Sequence, residues 1–163
     1  MLTSSAMLTS KPFNIVLIEP EIPPNTGNIS RLCAATGTHL HLVGKLGFSL
    51  EDKHLKRAGL DYWPEVKLFR WDNLDQLLQE FPQARCWYTS KKATRSYITA
   101  DFKPGDFLIF GKETLGLPEK MLLDQAEHAL RIPIFSPAVR SLNLANSAAI
   151  ILYEALRQNG ELI

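Results

Sequence analysis

Phe13-Asn14-Ile15-Val16-Leu17-Ile18 is a near-continuous apolar run, closed by Glu19-Pro20-Glu21-Ile22-Pro23-Pro24. Without polar alternation, such a run suits a parallel strand covered on both faces. Comparable strand patterns recur at 39–43, 66–69, 86–89, 107–110 and 130–134. Helical patterns fall between them, at 26–36, 51–58, 73–80, 118–125 and 142–158. Strands interleaved with helices predict an α/β fold, a largely parallel sheet flanked by helices. No linker or low-complexity stretch interrupts the series, so residues 13–163 read as one domain. Residues 1–12 read as a flexible N-terminal extension whose Met-Leu-Thr-Ser repeat leaves Met7 as an alternative start.

A chain of 163 residues with 45% hydrophobic and 21% charged residues has the composition of a soluble globular domain. It contains no apolar run long enough to span a bilayer and no signal-peptide pattern. Cys33 and Cys86 sit in apolar contexts and read as buried free thiols, which favours the cytoplasm. No Cys/His spacing suggests a metal site. The net charge of +1 does not advertise a nucleic-acid binder. Basic groups nevertheless cluster at Lys53-His54-Leu55-Lys56-Arg57, at Lys91-Lys92 with Arg95, and at Arg131 with Arg140. Each is a solvated face or part of a converging RNA surface.

Ligands of parallel sheets gather beyond the carboxyl ends of the strands. The loops after Ile18, Tyr88, Phe110 and Ile134 are therefore the places to look. After Ile18, three prolines fix the chain before Asn25 or Thr26 caps a helix. Ile29, Leu32, Cys33 and Thr36 share one face of that helix, with Asn28, Arg31 and Ala35 opposite. Arg31 is a solvated arginine there, or a bidentate contact to phosphate or ribose. After Phe110, Gly111 and Gly116 bracket a turn containing Glu113, and Pro118 suits the first position of the next helix. The spacing is not that of a phosphate-binding P-loop. Before the last helix, Ser141 and Asn143 cap its start, or its free amides hold a ligand. In that helix Ala145, Ala148, Ala149, Leu152, Ala155 and Leu156 form an apolar stripe, with Ile150 and Ile151 outside it. Apolar surface beyond the core-facing stripe points to a homodimer interface, with a covering loop as the alternative.

Together, Asn25-x-Gly27-x-x-x-Arg31, Gly111-x-Glu113-x-x-Gly116-Leu117-Pro118, and Ile132-Pro133 through Ser141-Leu142-Asn143-Leu144 resemble the three motifs of the SPOUT methyltransferases, which modify RNA. Glu19 to Ile29, Leu46-Gly47-Phe48, Asp52-Lys53 and Arg57 to Tyr62 are similar to the branch that methylates the wobble nucleotide of tRNA. The likeness runs from about Asn14 to Gly160. It implies a C-terminal trefoil knot and S-adenosyl-L-methionine as cofactor. It further implies a homodimer with shared active sites and, as substrate, the ribose 2′-oxygen of the position 34 cytidine or uridine in the anticodon stem-loop.

Carried onto this chain, the resemblance implies cofactor contacts at Tyr88, Thr89, Gly111, Glu113, Gly116, Leu117, Ile132, Ser141, Leu142 and Asn143. It places Arg31 and Asn25 at the reaction, without a metal. Leu115 stands where close relatives commonly carry arginine, and Lys91-Lys92-Ala93 where a Thr-Lys-Gly type of turn is usual; both departures bear on RNA contacts. Methylation of ribosomal RNA or another tRNA position, a knotted RNA-binding protein without catalysis, and, on the strand pattern alone, a generic α/β nucleotide-binding regulator are the alternatives.

Overall fold

The computed structural model describes residues 11–160 and 162. Of the extension expected over residues 1–12, residues 1–10 lie outside the described residues. Seven strands form one sheet: β1 Asn14–Ile18, β2 His39–Val43, β3 Leu68–Trp71, β4 Cys86–Thr89, β5 Arg95–Ser96, β6 Phe107–Phe110 and β7 Ala129–Arg131. Their order is β3-β2-β1-β6-β4-β7-β5, and every pairing is parallel. The parallel sheet expected from the apolar runs is thus present, with β5 as an additional two-residue edge strand.

Alternation along the strands divides the core into two layers. Ile15, Leu17, Trp87, Leu108 and Phe110 face α1 (Pro23–Thr36) and α5 (Leu144–Gln158). Val16, Tyr88 and Ile109 face α3 (Leu74–Glu80) and α4 (Glu119–Asp124), meeting Leu77 and Leu122. α2 (Lys53–Gly59) and the 3-10 turn Leu60–Glu65 pack beside α1.

Local chemistry explains most element boundaries. α1 starts at Pro23-Pro24, whose fixed φ suits the first helical turn; no side chain caps it, so the caps expected at Asn25 or Thr26 are not used. It ends at Gly37, where φ is +68°. The strand expected over 130–134 is Ala129–Arg131, because Pro133 has no N–H to continue a ladder and the chain leaves the sheet. Ile151, expected outside the α5 core stripe, is fully buried: the stripe is turned toward Ala148, Ile151, Leu152 and Ala155. Cys33 is a buried free thiol and Cys86 a half-buried one.

Candidate active site

Four adjacent strands, β1, β6, β4 and β7, end on the same edge of the sheet. Leu17, Phe110, Thr89 and Leu130 lie in register across them. Just beyond this row is a cavity of about 570 Å³, of a size suited to a cofactor. Thr89 lines it from the end of β4, and Gly111, Glu113, Gly116 and Leu117 from the loop after β6. Ile132, Ser141, Leu142 and Asn143 close it from the segment between β7 and α5, and Asn25 reaches it from α1. The structure therefore brings together nine of the ten residues expected at the cofactor.

Tyr88 is the exception. Adjacent strand residues point to opposite faces, and with Thr89 on the cavity side Tyr88 packs with Val16, Leu77 and Ile109. Burial pushes its phenol up to about 12. Arg31 is also outside the cavity. It borders an open groove between α1 and α5 with Asn28, Ala35, Ala145 and Ala149; Asn143 borders both spaces.

The loop after β6 folds back tightly on itself. A Cβ on Gly111 would lie 2.1 Å from the Gly116 carbonyl carbon, and Gly116 has φ +66°. Lys112 and Gly116 form an antiparallel bridge, with the Gly116 amide donating to the Lys112 carbonyl over 2.9 Å. Three successive side chains then fasten this loop to the one after β1. Lys112 pairs with Glu19 at 2.8 Å, and Thr114 donates to the Glu21 carboxylate at 2.7 Å. Glu113 accepts the backbone amides of Glu21, at 3.1 and 3.2 Å, and of Ile22. Its carboxylate thus organises the entry to α1 as well as lining the cavity. The hydrogen bond from Lys112 to Glu19 raises the lysine pKa, so the ammonium stays charged.

Asn143 joins the other side. Its Oδ1 accepts the Ala145 and Asn146 amides, capping α5, while its Nδ2 donates to Asn25 Oδ1 over 2.9 Å. Of the two readings of this helix start, capping is present through Asn143, and the same residue also lines the cavity. Lys91 and Lys92, expected from the sequence to bear on RNA contacts, also line the cavity, as do Lys112 and Ile134, which sequence reasoning did not select as site residues. Position after a strand end was the available signal, since those loops converge.

A model of the SpoU rRNA methylase family matches residues 12–153. The chain belongs to this family. Among relatives of this SpoU methylase, the tRNA (cytidine(34)-2′-O)-methyltransferase of Methylovorus glucosotrophus is 52% identical over 149 residues, covering 90% of this chain and 96% of that one. A solved structure described as "Structural insights into the 2-OH methylation of C/U34 on tRNA" superposes with a TM-score of 0.87. It is 44% identical, covering 92% of this chain and 97% of that chain. The AdoMet-bound rRNA methyltransferase of Sinorhizobium meliloti gives a TM-score of 0.80 at 27% identity, covering 91% of this chain and 57% of its own.

Proposed function

We propose that this chain transfers the methyl group of S-adenosyl-L-methionine to the ribose 2′-oxygen of cytidine or uridine at position 34 of tRNA. The observation that carries this reading is the cavity that the second and third motif segments line together with Asn25 of the first. The name of the Methylovorus relative supports cytidine 34, and the C/U34 in the description of the solved structure supports uridine as well.

The residues present fit the cofactor. Thr89 Oγ1 is buried at the cavity without a hydrogen-bond partner, and a bound polar group would satisfy it. Phe110, Leu117, Ile132 and Leu142 offer apolar walls for a purine, and the 111–117 backbone offers polar edges. When bound, S-adenosylmethionine supplies an already activated sulfonium methyl group. The protein's task is then to align the ribose oxygen behind that methyl and assist loss of its proton. No histidine lines the cavity. A guanidinium is a poor base, and the planar fork of Arg31 suits ribose and phosphate oxygens. We assign it to orienting the ribose and its neighbouring phosphate, which accepts the proton; Asn25 holds the adjacent wall through Asn143.

Several structural readings accompany this assignment. A trefoil knot in the C-terminal half is supported by the strand order, since segment 132–143 leaves β7 and returns past β4 and β6 to reach α1. A homodimer sharing its sites is supported by the open α1–α5 groove that carries Arg31 and by Tyr153, 44% exposed on α5. Sedimentation at micromolar concentration tests the dimer. Residues 13–163 form the catalytic unit in this reading, supported by the family match, and 1–12 an extension. A tRNA substrate would place the protein in the cytoplasm; no helix among the described residues is long and apolar enough to cross a membrane.

The deciding experiment is transfer of tritiated methyl into tRNA transcripts carrying C34 or U34, followed by mapping of the modified ribose. Label at position 34 supports the proposal. Label only in ribosomal RNA or elsewhere in tRNA overturns the substrate, and cofactor binding without transfer to any RNA overturns catalysis.

A further inference from the structure

We infer that Tyr62 is a positioning residue that holds the Arg31 guanidinium ready for RNA. The inference rests on Arg31 acting at the ribose, as proposed above. Arg31 Cζ lies 5.0 Å from the centre of the Tyr62 ring, within cation–π range. Arg31 comes from α1 and Tyr62 from the 3-10 turn Leu60–Glu65, so the contact joins two separately folded segments. A carboxylate partner would occupy the N–H edges of the guanidinium and offset its charge. An aromatic ring instead holds the face of the group and consumes none of its five donors. The ring contact thus leaves the donors of the fork to phosphate and ribose oxygens and reduces the rotamer freedom lost on binding.

Tyr62 is 39% exposed, so its ring is not part of the core. Neither Tyr62 nor Arg31 lines the cofactor cavity, so an effect on methyl transfer separates from one on cofactor binding. The contact also gives a purpose to Tyr62, the last residue of a stretch that the cofactor site leaves unused.

The test compares Tyr62→Leu, Tyr62→Phe and Arg31→Ala in steady-state methyl transfer to a C34 tRNA transcript, alongside thermal unfolding and S-adenosylhomocysteine titration. Tyr62→Leu is expected to lower kcat about fivefold, the scale that a partly exposed cation–π contact supports, with melting temperature and cofactor affinity unchanged. Tyr62→Phe keeps the ring and is expected to stay within about twofold of the parent protein on the same scale. Three results would overturn the inference with Arg31→Ala inactive: an unaffected Tyr62→Leu, equal damage from Tyr62→Phe, or lost cofactor affinity in Tyr62→Leu. An active Arg31→Ala would instead overturn the reading of Arg31 on which the inference rests.

Discussion

The side-chain amide of Asn143 donates to Oδ1 of Asn25 over 2.9 Å, joining the start of α5 to the first turn of α1. The same Asn143 caps α5 through its own Oδ1. One residue therefore sets both where the last helix begins and how the cavity wall meets the helix that carries Arg31.

These two duties separate in Asn143→Asp. Aspartate caps a helix about as well as asparagine but cannot donate to Asn25. The melting temperature should move by no more than about 2 °C, while S-adenosylmethionine affinity falls roughly tenfold, about the value of one lost hydrogen bond to a wall of the site. Asn143→Ala loses the cap as well and should cost about 1 kcal/mol of stability. Calorimetric titration beside thermal unfolding checks both, and an Asp variant that binds cofactor normally would remove the link from the site.

Gly111 and Gly116 are glycine for different reasons, and alanine distinguishes them. At Gly116 the added methyl meets nothing within 4 Å, so the penalty is the left-handed backbone alone, about 1–2 kcal/mol. At Gly111 it would lie 2.1 Å from one backbone carbon and 2.3 Å from the Leu117 nitrogen, which no rotamer relieves. The 112–116 loop must then open and remove a wall of the cavity. Cofactor binding should be lost in Gly111→Ala and retained, with modest weakening, in Gly116→Ala; calorimetric titration of both variants decides.

The apolar runs made the parallel sheet legible because burial on both faces leaves few polar positions in β1, β4 and β6. The cavity was legible too, since three polar segments, two of them bearing glycine, followed strand ends. β5 was not, because two residues carry no periodicity. Tyr88 could have been separated from Thr89 by the two-residue period of a strand, which sends neighbours to opposite faces. The second role of Glu113 was beyond reach: its partners, Glu21 and Ile22, lie more than ninety positions away and are backbone groups without sequence identity.

That role of Glu113 is testable. Glu113→Gln leaves one acceptor oxygen and turns an amide donor toward the Glu21 and Ile22 N–H groups. Loss of charge-assisted bonds at this half-buried site should cost about 1–3 kcal/mol, readable in urea unfolding. Methyl transfer should fall further than Lys112→Ala makes it fall, because the Lys112–Glu19 pair is partly solvent-accessible and screened, and it holds no backbone amide. Equal stability and activity in Glu113→Gln would show that the β1–α1 loop is held by other means.

The final prediction concerns pH and lies away from the cavity. His41 is fully buried in β2, where Nε2 donates to Asn14 Oδ1 at 2.9 Å and Nδ1 accepts the Trp71 indole N–H at 3.0 Å. Both nitrogens are used by the neutral ring, so a second proton would break the Trp71 bond. Burial, with a smaller contribution from nearby His39, lowers its pKa to about 4, against about 6.5 in an unfolded chain. Between those values the unfolded chain binds the extra proton, so stability rises with pH. The contribution is complete above pH ~6.5 and is lost progressively as pH falls toward ~4, with a slope of at most about 1.4 kcal/mol per pH unit from this residue. Urea unfolding at intervals between pH 7.5 and 4.5 should show the decline. His41→Gln, which retains one donor and one acceptor but does not titrate, should start less stable and decline less steeply; parallel slopes in the two proteins would place the acid sensitivity elsewhere.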